Sequence, residues 1–406
     1  MIARYDVVVL GGGLVGSAMA LTLAGQGLHV ALIDRMTAEI RADPEFDGRA
    51  YAIAPGSANL LGALGLWPGL ETLAEPVRKI VVADQTAGPV APAGLHFDPA
   101  ETDQLQLGWI LEDRFLRGAL LRALNDAGVE QIAPADVEAV TPGPAHAEIS
   151  LHGRGSIYGS VVVACDGRRS AIARAQGVQY LSWAYGQTGL VSAIEHTKPH
   201  HGIAHQSFFA GGPFAVLPLQ GNRSAIVWSD RDQAAKAIAA KRDDAYMRQI
   251  ALRIDGRLGN LTLAGRRWTY PLGLAIAQSY AQDRFVVAGD AAHGVHPIAG
   301  QGLNMGLRDV AALTEVLVEA GRRGEDLGAL TVLKRYEEWR RFDATAMALG
   351  MDGLNRLFST SSGPVQILRN LGLRLTGGAG FARRGFMGLA SGVSAEAPAL
   401  LRGQSI

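Results

Sequence analysis

The chain has 406 residues, with 38 Lys and Arg set against 38 Asp and Glu, so its formal net charge is zero. That balance argues against broad electrostatic binding to nucleic acid. Hydrophobic residues at 48% and charged residues at 19% suit a globular protein with a large core, and the length implies two domains or one large discontinuous one.

Tyr5-Asp6-Val7-Val8-Val9-Leu10 is β-branched, apolar and bounded by glycine, which predicts a strand buried on both faces. No signal peptide is expected, since the first residues run directly into this strand and then into glycines with no cleavage-site pattern. Gly11-Gly12-Gly13-Leu14-Val15-Gly16 follows and satisfies G-x-G-x-x-G. A helix from Ser17 to Gln26 is closed by Gly27, and a second strand, Val30 to Ile33, ends in Asp34-Arg35. Gly11 permits the tight turn, Gly13 lets a pyrophosphate approach the backbone, and Gly16 lets helix and strand pack closely. Asp34, at the tip of the second strand, is placed to accept hydrogen bonds from a ribose diol. This set marks a dinucleotide site and leaves NAD and FAD both open.

Residues Arg41 to Asp47 are charged and irregular, a break in the alternation that a nicotinamide dehydrogenase would continue. Gly48-Arg49 then leads into a helix from Pro55 or Gly56 to Leu64. Arg49, in an otherwise uncharged run, is a candidate phosphate clamp, its planar fork matching pyrophosphate oxygens. Ile80 to Phe97 alternates as short strands and turns. Trp109 to Glu112 is a strand leading into a helix, Asp113 to Ala127, with Arg114 and Arg117 near its start, either reaching the cofactor or exposed.

Val161 to Ala164 is a further buried strand, ending in Cys165-Asp166-Gly167. A lone cysteine excludes an internal disulfide, fits a reducing compartment, and here reads as a small core residue. From Tyr180 to Ile226 the strands lengthen and alternate. Phe214–Leu219 and Ser224–Trp228 are expected to pair antiparallel around Gln220 to Arg223, with Phe208, Phe209, Phe214 and Trp228 either walling an apolar pocket or filling the core. A helix from about Asp232 to Leu252 follows. Asp283 to Asp309 then reads as a short strand, a break at Gly289-Asp290, the loop His293 to Pro297, and a glycine-rich turn entering a helix at about Leu303. The free N–H groups of that helix start suit an anionic or electron-rich ligand.

Gly11-x-Gly13-x-x-Gly16, then Asp166-Gly167, then Gly289-Asp290 with a GQG turn, resemble the flavin aromatic hydroxylases of the para-hydroxybenzoate hydroxylase fold. His296-Pro297-Ile298-Ala299-Gly300-Gln301-Gly302-Leu303-Asn304, together with Gly48-Arg49-Ala50, Tyr185-Gly186-Gln187 and Gly212 to Leu219, is similar to their ubiquinone-biosynthesis branch over residues 5 to 345. The resemblance implies an α/β fold: a Rossmann-like FAD-binding domain (residues 1–78, 98–180 and 265–345), an inserted antiparallel-sheet substrate domain (79–97 and 181–264) and a C-terminal helical tail (346–406). It implies FAD as cofactor and NAD(P)H as electron donor. Gly11, Gly13 and Gly16 would hold the pyrophosphate, Asp34 with Arg35 the adenosine end, and Arg49 the pyrophosphate or the mobile flavin. Arg114, Asp166 and Gly167 join the cofactor set. Gly289 and Asp290 would bind the ribityl chain, and Pro297, Gly300, Gly302, Leu303 and Asn304 would border the isoalloxazine ring. The family often has Arg, Gln or Asn where this chain has Asp113.

The implied chemistry is ring hydroxylation of a polyprenylated phenol by O2 through a flavin C4a-hydroperoxide. It needs no metal and no side-chain nucleophile; His293 and His296 flank the turn as candidates for proton handling, with His296 and Pro297 near the flavin. Three alternatives stay open: hydroxylation of a small soluble aromatic compound, flavin-dependent reduction of prenyl double bonds, and a lipid-binding subunit of a biosynthetic complex. Partners of the last kind would be other ubiquinone-biosynthesis proteins. After a second helical run, Leu330 to about Leu357, the segment from Gly363 mixes apolar residues with Arg369, Arg374, Arg383 and Arg384 and almost no acid. It would dock either on an anionic membrane surface or on protein. No stretch reaches the ~18 apolar residues of a spanning helix. The expected location is cytoplasmic, with peripheral contact at the inner membrane as an option.

Overall fold

The computed structural model describes residues 3–85, 95–98, 106–359, 388 and 391–406. Its first sheet is built on the apolar runs seen in the sequence. Parallel strands Phe285–Val287, Gly155–Ala164, Arg4–Leu10, Val30–Ile33 and Glu130–Ile132 lie side by side in that order. Val7, Val8, Val9, Val161, Val162 and Val163 have no exposed surface, as the near-continuous apolar runs of a sheet buried on both faces require. The Leu14–Gly25, Asp113–Asp126 and Gln301–Arg322 helices share one hydrophobic core with the strands.

The second sheet runs, in order, His293–Gly294, Leu261–Ala277, Tyr180–His196, Arg223–Arg231, Gly212–Leu219, Ile203–Phe209, Lys79–Asp84 and Leu95–Phe97. Gly212–Leu219 and Arg223–Arg231 pair antiparallel, Leu219 opposite Arg223, as the turn chemistry at Gln220 to Arg223 predicts. One face packs on two helices, with Phe214, Trp228, Tyr246 and Ile250 at its centre. Phe214 and Trp228 are therefore core, not pocket wall. The opposite face meets the first domain through small side chains, Ala193, Ala225 and Ala264, against Phe46, Ala50 and Ala52.

Three elements differ from their sequence expectations. The helix expected over 232–252 is two, Asp232–Ala239 and Asp243–Ile254. Lys241-Arg242 followed by Asp243-Asp244 places cations at one C-terminus and acids at the next N-terminus, which favours a break there. The glycine-rich turn feeds a helix that starts at Gln301 and runs unbroken to Arg322. The Leu330–Ser359 helix passes through residue 345 without interruption, so no structural break separates the first domain from the start of the C-terminal region. Residues 391–406 return to the body: Asn59 Nδ2 donates to the Leu401 carbonyl at 2.8 Å, and Glu315 accepts the Ala399 N–H at 2.7 Å. The arginine-studded segment around 363–387 lies outside the described residues.

Candidate cofactor and active site

Three strand ends converge because their strands are neighbours. Arg4–Leu10 and Phe285–Val287 both pair in parallel with Gly155–Ala164, so Gly11, Asp166 and Gly289 emerge side by side at the carboxyl edge of the sheet. The Cys165 N–H donates to the Leu10 carbonyl at 2.7 Å, and the Ala288 N–H donates to the Ala164 carbonyl at 3.0 Å. A crevice at such an edge is where open α/β sheets bind ligands.

Each glycine of the first motif has a distinct spatial reason. Gly11 has φ +104°, and a Cβ there would lie 2.6 Å from the Cys165 carbonyl oxygen. A Cβ on Gly16 would lie 1.8 Å from the Gly11 oxygen, so any larger residue would force helix and strand apart. Gly13, which caps the Leu14–Gly25 helix, faces open space. Val15 of that helix touches Gly289 and Gly306, so small residues let both helix starts approach the crevice.

Asp34 accepts the Gly12 N–H at 2.6 Å and the Met36 N–H at 2.7 Å. Arg35 turns outward to Asp136, 3.0 Å away. Arg49 pairs with Asp47 at 2.7 Å and Asp113 at 3.3 Å and lies 5.0 Å over the Trp268 ring. Asp113 also takes a two-pronged contact from Arg117 at 2.9 and 2.7 Å. The acid that departs from the family pattern thus orients two arginines. Arg114 is committed to Glu112 and to the rings of Phe46 and Phe115.

Asp290 sits exposed in a 3-10 turn, Gly289–Ala291. Gly300, at φ +62°, starts the Gln301–Arg322 helix, and Gly302 in its first turn faces open space. Pro297 precedes that turn, and Leu303 is buried behind it. The Asn304 side chain points inward. It accepts from the Ala54 N–H at 2.9 Å and Ser57 Oγ at 2.8 Å, and donates to the Ala52 carbonyl at 3.0 Å. Its side chain therefore shapes the loop, and the helix-start cradle is left to the backbone N–H groups of the first turn. His296 is fully buried, edge-on to Tyr185 at 5.2 Å between ring centroids. Burial, with Arg168 adding to it, pushes the imidazole down to about 4, so it is neutral near pH 7.

Three contributors carried no role in the sequence reading. Arg41 is buried and donates to the Gly12 carbonyl and to Gln131, both at 3.0 Å, behind the glycine loop. Asp309 and Arg340 form a buried pair at 2.8 Å under the Gly289 turn. Asp309, followed by the apolar run Val310 to Leu313, carried a weak signal, whereas Arg41 and Arg340 sit among other charged residues and carried none.

The crevice fits a flavin dinucleotide. Asp166 Oδ1 is buried beside Gly11 with no hydrogen-bond partner among the described residues. The first turn of the Gln301–Arg322 helix faces open space at Gly302, and the exposed Asp290 follows Gly289 at the same sheet edge. A family model described as an FAD binding domain matches residues 4–349. Ubiquinone hydroxylase UbiL of Rhodospirillum rubrum is 38% identical over 402 residues, covering 98% of this chain and 92% of that protein. The 3-demethoxyubiquinol 3-hydroxylase of Escherichia coli is 33% identical over 384 residues, covering 93% and 96%. Among solved structures, p-nitrophenol 4-monooxygenase PnpA from Pseudomonas putida DLL-E4 superposes with a TM-score of 0.79 at 19% identity, covering 97% of this chain and 100% of that one, a likeness of fold.

Proposed function

The chain belongs to the FAD-binding hydroxylase family that serves ubiquinone biosynthesis, and from that premise we propose that it hydroxylates the aromatic ring of a polyprenylated phenol. It is an FAD-dependent monooxygenase, with a ubiquinone precursor and O2 as its substrates. Bound FAD supplies the oxygen-transfer chemistry, using electrons from a donor of the NAD(P)H kind.

The chain's own residues bind, orient and exclude water. Gly11, Gly13 and Gly16 open the backbone to the pyrophosphate, with the start of the Leu14–Gly25 helix behind it. Asp34 keeps lone pairs for the ribose diol beyond the two backbone N–H groups it accepts. Arg49 faces the phosphates from the seam with the second sheet. Asp290 takes the ribityl hydroxyls. The first-turn N–H groups at Gly302 and Leu303, which have no intrahelical acceptor, face the flavin's pyrimidine edge within the Gly300 to Asn304 stretch and stabilise negative charge that gathers on reduction, while the Gly300 N–H itself donates to the Pro297 carbonyl at 3.1 Å. His296, neutral and buried, keeps a cation away from that edge.

The observation that carries this reading is the meeting of Gly11, Asp166, Gly289 and the Gly300 helix start at one sheet edge. Asp290→Ala tests it. Asp290 is exposed and has no structural bond among the described residues, so the variant should fold normally while its FAD dissociation constant rises about tenfold. Full flavin occupancy on dilution would refute the assignment. A polyprenylated phenol should be turned over in preference to a phenolic acid without a tail. The opposite preference favours a small soluble substrate, and flavin binding with no substrate-dependent donor oxidation favours a lipid-presenting subunit. We further propose that residues 363–387 bring the enzyme to an anionic membrane, on the strength of their arginine-rich, acid-poor sequence. No helix among the described residues is long and apolar enough to cross a membrane.

A further inference from the structure

Asp309 lies nine residues into the Gln301–Arg322 helix and has no exposed surface. Its carboxylate accepts three hydrogen bonds: from the Gly289 N–H at 2.9 Å, from His293 Nε2 at 2.6 Å and from Arg340 Nε at 2.8 Å. Gly289 and His293 are the two ends of the turn that presents Asp290. One carboxylate therefore grips both sides of the exposed acid, while the Ala292 N–H closes the turn on the Gly289 carbonyl at 2.8 Å. Arg340 comes from a different element, the Leu330–Ser359 helix, and also pairs with Asp343, which Arg308 approaches at 3.5 Å.

The charges are arranged so that Asp309 stays ionised. Burial works to raise its carboxyl, but His293 and Arg340 together overcome burial and hold it below the ordinary aspartate value. Burial likewise works against the Arg340 guanidinium, and Asp309 and Asp343 outweigh it. A buried ion pair is a poor source of net stability compared with an apolar pair of the same volume. What this one provides is direction: a full negative charge that accepts two donors of one turn at short range. An apolar pair would leave the Gly289 N–H unpaired and the turn free to rotate Asp290 away from the crevice.

We propose that Asp309 is a positioning residue for the cofactor, acting through Asp290, with Arg340 as the counter-charge that keeps it ionised. The proposal rests on the reading that Asp290 holds FAD. If Asp309 acts through Asp290, its removal matters only while Asp290 is present.

The test is a double-mutant cycle on full-length holoprotein, reading free FAD by its fluorescence after serial dilution. Asp290→Ala alone should raise the FAD dissociation constant about tenfold, and Asp309→Asn alone should do about the same. Asp309→Asn added to Asp290→Ala should change it less than about twofold. Asp309→Asn leaves the buried Arg340 with Asp343 but without its second counter-charge, so the cycle is repeated with Asp309→Asn/Arg340→Gln in its place, which removes both charges together. The same non-additivity is expected there. Independent effects that multiply to about a hundredfold would overturn the proposal while leaving the FAD site standing. No effect of Asp290→Ala by itself would remove the site assignment, and this inference with it. A merely structural Asp309 would weaken FAD equally in both backgrounds.

Discussion

His296 has no exposed surface, and neither ring nitrogen has a hydrogen-bond partner among the described residues. A buried imidazole in that state resists protonation, and burial followed by Arg168 sets its value at about 4 against an ordinary 6.5. Linkage gives the sign of the consequence. Between those two values the unfolded chain binds a proton that the folded chain does not. The stability associated with neutral His296 is thus whole above about pH 6.5 and is lost as pH falls toward 4. The full span corresponds to about 3 kcal/mol. His296→Gln should flatten that part of the acid limb in urea midpoints measured from pH 7 to pH 4. His205, also pushed down to about 4, titrates in the same window, so the comparison is the difference between variant and parent. Identical acid limbs would show that His296 is protonated in the folded protein.

At the scale of elements, the start of the Gln301–Arg322 helix is held from behind by Asn304, which ties it to the Ala50–Ile53 strand and the Pro55–Ala63 helix. Asn304→Ala would strand the Ala54 N–H, the Ser57 hydroxyl and the Ala52 carbonyl in the core. Each stranded group costs about 1–3 kcal/mol, so a loss of at least about 3 kcal/mol in unfolding free energy is expected by denaturant titration. A loss under about 1 kcal/mol would mean that the loop repacks without this side chain. Asn304 also marks the limit of what was legible in the chain. The Gly11 to Gly16 turn could be read because strand, turn, helix and acid follow one another within thirty-odd residues, and each glycine answers a local steric demand. The same holds for Gly289-Asp290 and the Gly300 turn. Asn304 falls in the helix start that the sequence predicts, but its side-chain partners are some 250 residues away, so its inward role was out of reach. Arg41 and the Asp309–Arg340 pair were missed for the same reason: their partners are distant in the chain, and Arg41 and Arg340 stand among other charged residues, where a buried charge reads like a solvated one. The break at Lys241 to Asp244 was legible in principle from the reversal of charge, which a reading by apolar period alone passes over.

On the scale of the whole molecule, the Leu330–Ser359 helix links the two sheets. Near its start Tyr336 donates to the Val287 carbonyl at 3.0 Å, and Glu337 accepts the N–H groups of Tyr280 and Ala281 at 2.8 and 2.9 Å. Toward its end Asp352 accepts Trp183 Nε1 at 3.0 Å, and Asn355 donates to Gln187 at 3.2 Å, both on the long strand of the second sheet. The chain then leaves this helix and comes back as residues 391–406, whose Leu400 and Leu401 are almost fully buried. Burying two leucines contributes about 3–6 kcal/mol. Removing everything after residue 362 would therefore strip part of the core, and any loss of lipid binding by that variant would have a trivial cause. Charge substitution in the full chain avoids this. Each arginine near an anionic surface contributes about 1 kcal/mol, so replacing Arg369, Arg374, Arg383 and Arg384 together by Gln should remove about 4 kcal/mol of attraction. Co-sedimentation with anionic vesicles at low salt should then fall to the level seen with neutral vesicles, while flavin content stays that of the parent. Undiminished co-sedimentation would reject these arginines as the membrane contact and leave a protein surface as the partner of that segment.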